Sequence, residues 1–327
     1  MKISVIGAGS FGTALAIVLL SNGHQVTLYG RNPVQIKMIE NTGGNHRYLP
    51  GLMLPKELKV TSGLNKAVES CDILVMAVPA QQLRQVLSDI NGIRKGIPIV
   101  NVAKGIEQGT LMRMSQVWED SYEGSSFACL SGPSHAEEVA RMLPSTVCVS
   151  SKDSEFMGQV QQLFMNEWFR VYTNHDLIGV ELGGAVKNVI ALACGISDGL
   201  ELGDNAKAAL ITRGIAEMKR LGMAMGGEAE TFSGLSGIGD LVVTCTSMHS
   251  RNRRFGIMLG QGMDTQEALK KVGMIVEGYT TQEAVCLLAD KYDVEMPISK
   301  TMHKLILGEL TPEESVRSLM GRQRKHE

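Results

Sequence analysis

Short apolar runs recur along the first half of the chain, separated by segments whose apolar positions fall three and four apart. The runs Ile3–Ile6, Gln25–Tyr29, Leu58–Val60, Asp72–Val78, Ile97–Val102, Phe127–Leu130, Thr146–Val149 and Phe169–Tyr172 predict strands. Between most of them lie helix-length segments: Pro33–Asn41, Gln81–Ile90, Leu111–Glu119 and Glu155–Phe164. Strands alternating with helices predict a parallel, doubly wound sheet with right-handed crossovers. Runs as continuous as Ile73 to Val78 suit a sheet covered on both faces. Past about residue 175 the strand signal stops. A long helix is predicted from His175-Asp176 through Ala193, with apolar positions around much of its circumference. Further helices are predicted at Ala206–Leu221, Arg253–Leu259, Thr265–Lys271, Thr280–Lys291, Ile298–Leu307 and Pro312–Met320. The domains are therefore expected at residues 1–175 and 176–327.

The first strand runs into Gly7-Ala8-Gly9-Ser10-Phe11-Gly12, an apolar helix follows, and a second strand closes the unit at Tyr29. This is G-x-G-x-x-G in the strand–turn–helix–strand frame that a dinucleotide needs. Gly7 allows the tight turn, Gly9 lets the backbone approach a pyrophosphate, and Gly12 lets helix and strand pack closely. The helix N-terminus offers N–H groups and a positive dipole end to phosphate. The expected fold class is α/β, an N-terminal doubly wound Rossmann-type sheet plus an all-helical C-terminal domain. The second strand ends Leu28-Tyr29-Gly30-Arg31-Asn32 and lacks the acid that would bond a ribose 2′-hydroxyl. Arg31 instead suits a 2′-phosphate, so NADP is favoured over NAD.

Ligands of such sheets sit at the carboxyl ends of the strands, which here carry Gly, Lys, Ser and Arg. Lys104 follows a buried strand and precedes Gly105, so it points into the cleft. Lys187 lies inside the long apolar helix beside Gly183, Gly184 and Ala185, which permit close approach of another backbone or a ligand. A desolvated lysine exchanges protons near neutrality, whereas an ordinary helical lysine snorkels to water. The stretch Gly234 to Arg254 is dense in Gly, Ser and Thr, and holds Asp240 and then Ser250-Arg251-Asn252. Arginine gives phosphate a planar fork, and Asn and Ser add neutral hydrogen bonds. Arg253 and Arg254 read as a solvated helix start.

Composition narrows the partners. With 327 residues, 44% hydrophobic and 20% charged, the chain has the make-up of a globular enzyme, and its net charge of −2 gives no global field for nucleic acid or anionic membrane. Six scattered cysteines without a CxxC pair read as buried free thiols of a cytoplasmic protein. Seven isolated histidines supply no metal-ligand spacing, so no metal is expected. No secretory signal and no unbroken apolar span of about 18 residues are read from the chain. The basic tail Arg322 to His326 reads as a frayed end, not as a nucleic-acid arm. The apolar content of the helical domain allows a homodimer.

Seven segments then carry a family resemblance: GAGSFGTALA, HRYLPG, AKGIE, LSGPSHAEEV, VELGGAVKNVIALACGISDG, SGIGDLVVTCTS with HSRNRRFG, and VEGYTT. In this order, over nearly the whole chain, the sequence resembles NAD(P)-dependent glycerol-3-phosphate dehydrogenase of the bacterial biosynthetic type. The resemblance implies that Lys187 is the proton donor and acceptor, with Lys104 and Asp240 beside it. It implies substrate contacts at Gly132, Ser134, Ser250, Arg251 and Asn252, with Thr244 in the same motif. It implies cofactor contacts at Ser10, Phe11, Arg31, Tyr48, Lys104, Ala136, Arg251, Ile275 and Glu277. The implied substrates are dihydroxyacetone phosphate and sn-glycerol 3-phosphate, the latter a backbone of phospholipids. Val186 stands where the family usually has Leu, and Ile275 where Val is common. Asn32 after Arg31 makes the NADP preference less strict than two basic residues would. A related dehydrogenase of the 6-phosphogluconate or hydroxyacid type would share the glycine turn and a helical-domain lysine, but not SGIGDL with HSRN. An inactive NADPH-binding regulator would keep the turn and lose Lys104, Lys187, Asp240 or Arg251, all of which are present.

Overall fold

The structure, a computed structural model, describes residues 1–124 and 126–323. The chain divides into two compact units, Met1–Lys104 with Met112–Val180, and Gly105–Leu111 with Glu181–Glu327. A single cut near residue 175 therefore does not separate them: seven residues directly after Lys104 belong with the second unit. There the Gln108 side chain donates to Thr280 O at 3.0 Å.

The first unit is built on one eight-stranded sheet, in the order β3-β2-β1-β4-β5-β6-β7-β8. The strands are β1 (Lys2–Ile6), β2 (Gln25–Tyr29), β3 (Lys59–Thr61), β4 (Ile73–Met76), β5 (Ile99–Asn101), β6 (Phe127–Ser131), β7 (Ser145–Ser151) and β8 (Phe169–Asn174). All eight lie where the apolar runs predict strands. The first six follow the order of a dinucleotide-binding doubly wound sheet and are parallel. The sheet is not wholly parallel: β7 runs antiparallel to β6, with Ser131 opposite Cys148, and β8 is parallel to β7. The reason is the connection. Between β6 and β7 the chain forms only the four-residue helix α6 (Ala136–Val139), and no full crossover helix carries it back along the sheet.

The other helices of this unit are α1 (Ser10–Ser21), α2 (Pro33–Thr42), α3 (Leu64–Val68), α4 (Leu83–Asn91), α5 (Met114–Ser121) and α7 (Ser154–Phe164). The main core joins Ile3, Val5, Val75 and Val147 of the sheet to Leu15, Leu19, Val160 and Phe164 of α1 and α7. Helix α1 is buried from Gly12 to Leu19, which fixes the position of its first turn relative to β1.

The second unit is helical: α8 (Leu177–Gly199) from Glu181 onward, α9 (Gly203–Ala224), α10 (Asp240–Thr246), α11 (Arg251–Gly260), α12 (Thr265–Val272), α13 (Glu277–Lys291), α14 (Pro297–Ile306) and α15 (Pro312–Met320). Residues 324–327, which hold most of the basic tail, lie outside the described residues. Helix α8 is long and apolar enough to cross a membrane by length and composition, although no such span is read from the sequence; 94% of its apolar window is instead buried inside the protein. Its start is set by Asp176, whose carboxylate accepts from Gly179 N–H at 2.8 Å.

Two glycine pairs fix the centre of this unit. A Cβ on Gly195 would lie 2.2 Å from Arg253 O, and one on Gly256 would lie 2.2 Å from Leu192 O. A turn further on, Gly199 meets Ile257 O and Gly260 meets Ile196 O in the same way, at 2.3 and 2.4 Å. G-x-x-x-G on both helices thus lets the backbones of α8 and α11 touch. The sequence expectation that small residues beside Lys187 admit another backbone also holds. A Cβ on Gly183 would meet Ser236 O at 2.5 Å, in the π-helical turn Leu235–Gly239 that leads into α10.

Candidate active site

The glycine turn is built as its spacing predicts. Gly7 has φ +125°, and a Cβ there would lie 2.4 Å from Ala77 O, beyond the end of β4. A Cβ on Gly12 would lie 2.0 Å from Gly7 O, so α1 starts hard against the turn. Gly9 differs: a Cβ there would meet nothing within 4 Å. Gly9 is also the N-cap of α1, and no side chain caps it. The first-turn N–H groups at Ser10, Phe11 and Gly12 have no intrahelical acceptor. A cradle bounded by backbone N–H groups, which a side chain at residue 9 would fill, fits the pyrophosphate of a dinucleotide.

Around the turn, Ser10 Oγ donates to Tyr48 O at 2.9 Å, and the Arg47 guanidinium lies over the Tyr48 ring. Arg31 is exposed just past β2, and its Nη1 donates to Gln82 Oε1 at 3.2 Å. Beyond β5 and β6 the residues read from the sequence as a group do come together. Lys104 Nζ donates to Gly132 O at 3.2 Å and Ser134 Oγ donates to the same carbonyl at 3.0 Å. Gly132 has φ +139°, and a Cβ there would lie 2.9 Å from Val147 Cα. Ala136 opens α6 and is buried.

The helical unit holds the other cluster. Lys187 is 6% exposed, and its Nζ lies 2.5 Å from Asp240 Oδ1 and 2.8 Å from Thr244 Oγ1. Asp240 is the first residue of α10, Thr244 lies one turn on, and both are buried. Thr244 Oγ1 donates to Asp240 O at 2.6 Å and so presents its lone pairs to Lys187. Two partners thus direct the ammonium, and a buried charge has the counter-charge it needs. Ser250 caps α11, accepting from Arg253 N–H at 3.2 Å. Arg251 Nη1 donates to Ile275 O at 3.1 Å, which joins two of the residues read as cofactor contacts. Glu277, the first residue of α13, accepts from Thr280 Oγ1 at 3.4 Å. Asn252 Nδ2 donates to Asn188 Oδ1 at 2.9 Å, and Asn252 Oδ1 accepts from Gly278 N–H at 2.8 Å.

Sequence reasoning overlooked Asn188, although it stands beside Lys187 as a second polar residue in an apolar helix. It also misread Arg253. The side chain is 12% exposed, and its Nε lies 2.7 Å from Asp198 Oδ2. Lys207 Nζ binds the other oxygen of that carboxylate at 2.6 Å. The close α8–α11 crossing brings Asp198 under Arg253, which no local pattern reveals. Arg254 is half-buried, with its Nε shielded from solvent.

A doubly wound sheet with an open glycine cradle, joined in one chain to a helical unit with a buried lysine–aspartate pair, defines the class of two-domain nicotinamide-dependent dehydrogenases. Comparison with known proteins narrows it. The profile of the NAD-dependent glycerol-3-phosphate dehydrogenase N-terminus matches residues 2–157, and that of the C-terminus matches residues 176–317. The chain belongs to this family of NAD(P)-dependent oxidoreductases. It is 48% identical over 331 residues to the NAD(P)+ glycerol-3-phosphate dehydrogenase of Shouchella clausii, covering 100% of this chain and 97% of that one. It is 52% identical to that of Geobacillus kaustophilus, covering 100% and 96%. The crystal structure of glycerol-3-phosphate dehydrogenase from Coxiella burnetii superposes with a TM-score of 0.95 at 40% identity, covering 98% of this chain and 99% of that one.

Proposed function

We propose that the protein reduces dihydroxyacetone phosphate at C2 to sn-glycerol 3-phosphate, reversibly, with NADPH preferred and NADH accepted. The buried Lys187–Asp240–Thr244 cluster is the observation that carries this reading. A dinucleotide held through its pyrophosphate at the glycine turn would supply the hydride from its reduced nicotinamide. Lys187 gives a proton to the oxygen on C2 as that oxygen becomes an alkoxide; in the reverse direction it removes the hydroxyl proton. Asp240 and Thr244 hold the ammonium in one orientation, so no rotamer search precedes transfer. Lys104 supplies positive charge to the oxygens where negative charge develops. Gly132, Ser134, Ser250, Arg251 and Asn252 bind the substrate, with Arg251 and Asn252 at its phosphate. The cofactor is held by Gly7, Gly9, Ser10, Phe11, Gly12, Arg31, Tyr48, Lys104, Ala136, Arg251, Ile275 and Glu277.

The NADP preference is supported by Arg31 standing where an acid would bond a ribose, with Gln82 orienting its guanidinium. We further propose a cytoplasmic homodimer that feeds phospholipid synthesis. Six free thiols support the compartment, and exposed Leu287, Leu307 and Met320 on the helical unit support the dimer. The test is consumption of NADPH or NADH with dihydroxyacetone phosphate as acceptor. Turnover with NADPH, and a higher kcat/KM than with NADH, is the expected result. No turnover with this acceptor rejects the activity, and a strong NADH preference rejects the role of Arg31.

A further inference from the structure

The loop after α2 contains a residue that no part of the reaction uses. Asn45 is 1% exposed and belongs to no helix or strand. Its Nδ2 donates to Ala8 O at 3.1 Å and to Thr13 Oγ1 at 2.8 Å. Gln35, on the first turn of α2, donates from Nε2 to the same Ala8 O at 2.7 Å and to Asn45 Oδ1 at 3.3 Å. Thr13 Oγ1 in turn donates to Gly9 O at 2.8 Å. One buried and one half-buried amide thus grip one carbonyl inside the glycine turn directly, and Asn45 reaches the next carbonyl through one hydroxyl.

The geometry of the peptide gives this grip a consequence. Ala8 O and the Gly9 N–H belong to one planar trans peptide and point to opposite sides of the chain; Gly9 O and the Ser10 N–H are related in the same way. Gly9 O also accepts from Thr13 N–H at 3.0 Å, so helix α1 helps to hold the second peptide, whereas glycine at residue 9 leaves the Ala8–Gly9 peptide free to rotate unless its carbonyl is gripped. Holding the carbonyls inward turns both N–H groups outward, where an anion can accept from them. We propose that Asn45, assisted by Gln35, is the positioning residue that pre-orients the pyrophosphate-binding N–H groups of the glycine turn. It rests on the reading that this turn holds the dinucleotide pyrophosphate. Asn45 itself touches no ligand. Its effect is to remove, before binding, the conformational freedom that the turn would otherwise lose on binding.

The test compares Asn45→Ala, Gln35→Ala and Gly9→Val with the natural protein. The probes are NADPH, titrated by its fluorescence, and adenosine 2′-phosphate, which lacks the pyrophosphate, titrated by calorimetry. Asn45→Ala should weaken NADPH about tenfold and Gln35→Ala about threefold, with adenosine 2′-phosphate changed less than about twofold. KM for NADPH should rise while kcat at saturation stays near that of the natural protein. Unchanged NADPH affinity in both variants, or an equal loss with both probes, overturns the proposal. Gln35 is half-buried on an exposed helix, so its variant keeps the test decisive if Asn45→Ala does not fold. Gly9→Val separates the two levels of the argument. Its extended backbone (φ −80°, ψ −176°) and open surroundings accept valine without strain, yet the side chain fills the cradle. Retained NADPH binding in Gly9→Val rejects the pyrophosphate reading itself. Lost binding there, with normal binding in the other two, rejects only the role of Asn45 and Gln35.

Discussion

Lys187 is costly to bury and has to be matched, and Asp240 and Thr244 match it from a single helical turn of α10. Removing the lysine has two separable effects. Lys187→Ala should lower kcat by about 10²–10⁴-fold through loss of the proton donor. It should also cost about 3–5 kcal/mol of stability, because the Asp240 carboxylate stays buried without its ammonium. The double variant Lys187→Met with Asp240→Asn should recover much of the melting temperature and none of the turnover. Normal turnover in Lys187→Ala would remove it from the chemistry. Arg251 lies at the start of α11 and already donates to Ile275 O, so its guanidinium is held before substrate arrives. Arg251→Ala should raise KM for dihydroxyacetone phosphate by more than about tenfold, the worth of a charge-assisted phosphate contact. An unchanged KM would place the phosphate elsewhere.

Helices α8 and α11 act as one piece because of their glycines. Any Cβ at Gly195, Gly199, Gly256 or Gly260 would fall within 2.5 Å of the facing backbone. That crossing sets where Arg251 and Asn252 stand relative to Asn188, and it brings Arg253 to Asp198. Gly256→Leu should force the helices apart and cost about 1–3 kcal/mol or more. The melting temperature should fall, and KM for the phosphorylated substrate should rise along with it. A variant that melts normally and keeps its KM would show that α11 does not depend on this contact. On the sheet side, the asymmetry between glycines is equally informative. Gly7 and Gly12 are demanded by neighbouring backbone, whereas Gly9 is demanded by nothing within the protein.

Across the molecule, six free thiols are buried, and this gives a pH dependence. Burial pushes the Cys286 thiol from its ordinary 9.0 up to about 12. A hydrogen bond with Cys194, together with burial, raises the Cys245 thiol well above its ordinary value. A group whose pKa is raised by folding contributes stability that is fully present below the unfolded value and is lost as pH rises through the folded one. Stability from Cys286 should therefore be intact below about pH 9 and fall away toward pH 12. Cys286→Ala should flatten the decline of melting temperature over that window. The same burial predicts that a thiol reagent near neutral pH titrates all six cysteines only in denaturant. One fast-reacting thiol in the native protein would contradict it.

What the chain determined by itself is periodic or local. Eight apolar runs specify eight strands because a covered sheet needs them, and the glycine turn specifies a dinucleotide because its spacing solves a steric problem within one βαβ unit. The chemistry of Lys187, Asp240 and Arg251 came from a motif resemblance, since periodicity alone leaves a helical lysine between catalyst and snorkel. What only the tertiary structure decided is pairwise and distant in sequence. The reversed direction of β7 depends on a connection, which hydrophobic alternation does not encode. The grip of Asn45 on Ala8, the pairing of Arg253 with Asp198, and the passage of residues 105–111 into the second unit each join positions that carry no local signal of one another. The physical reason is common to them. A polar side chain or a strand end acquires its role from the group that lies opposite it, and that group is chosen by packing.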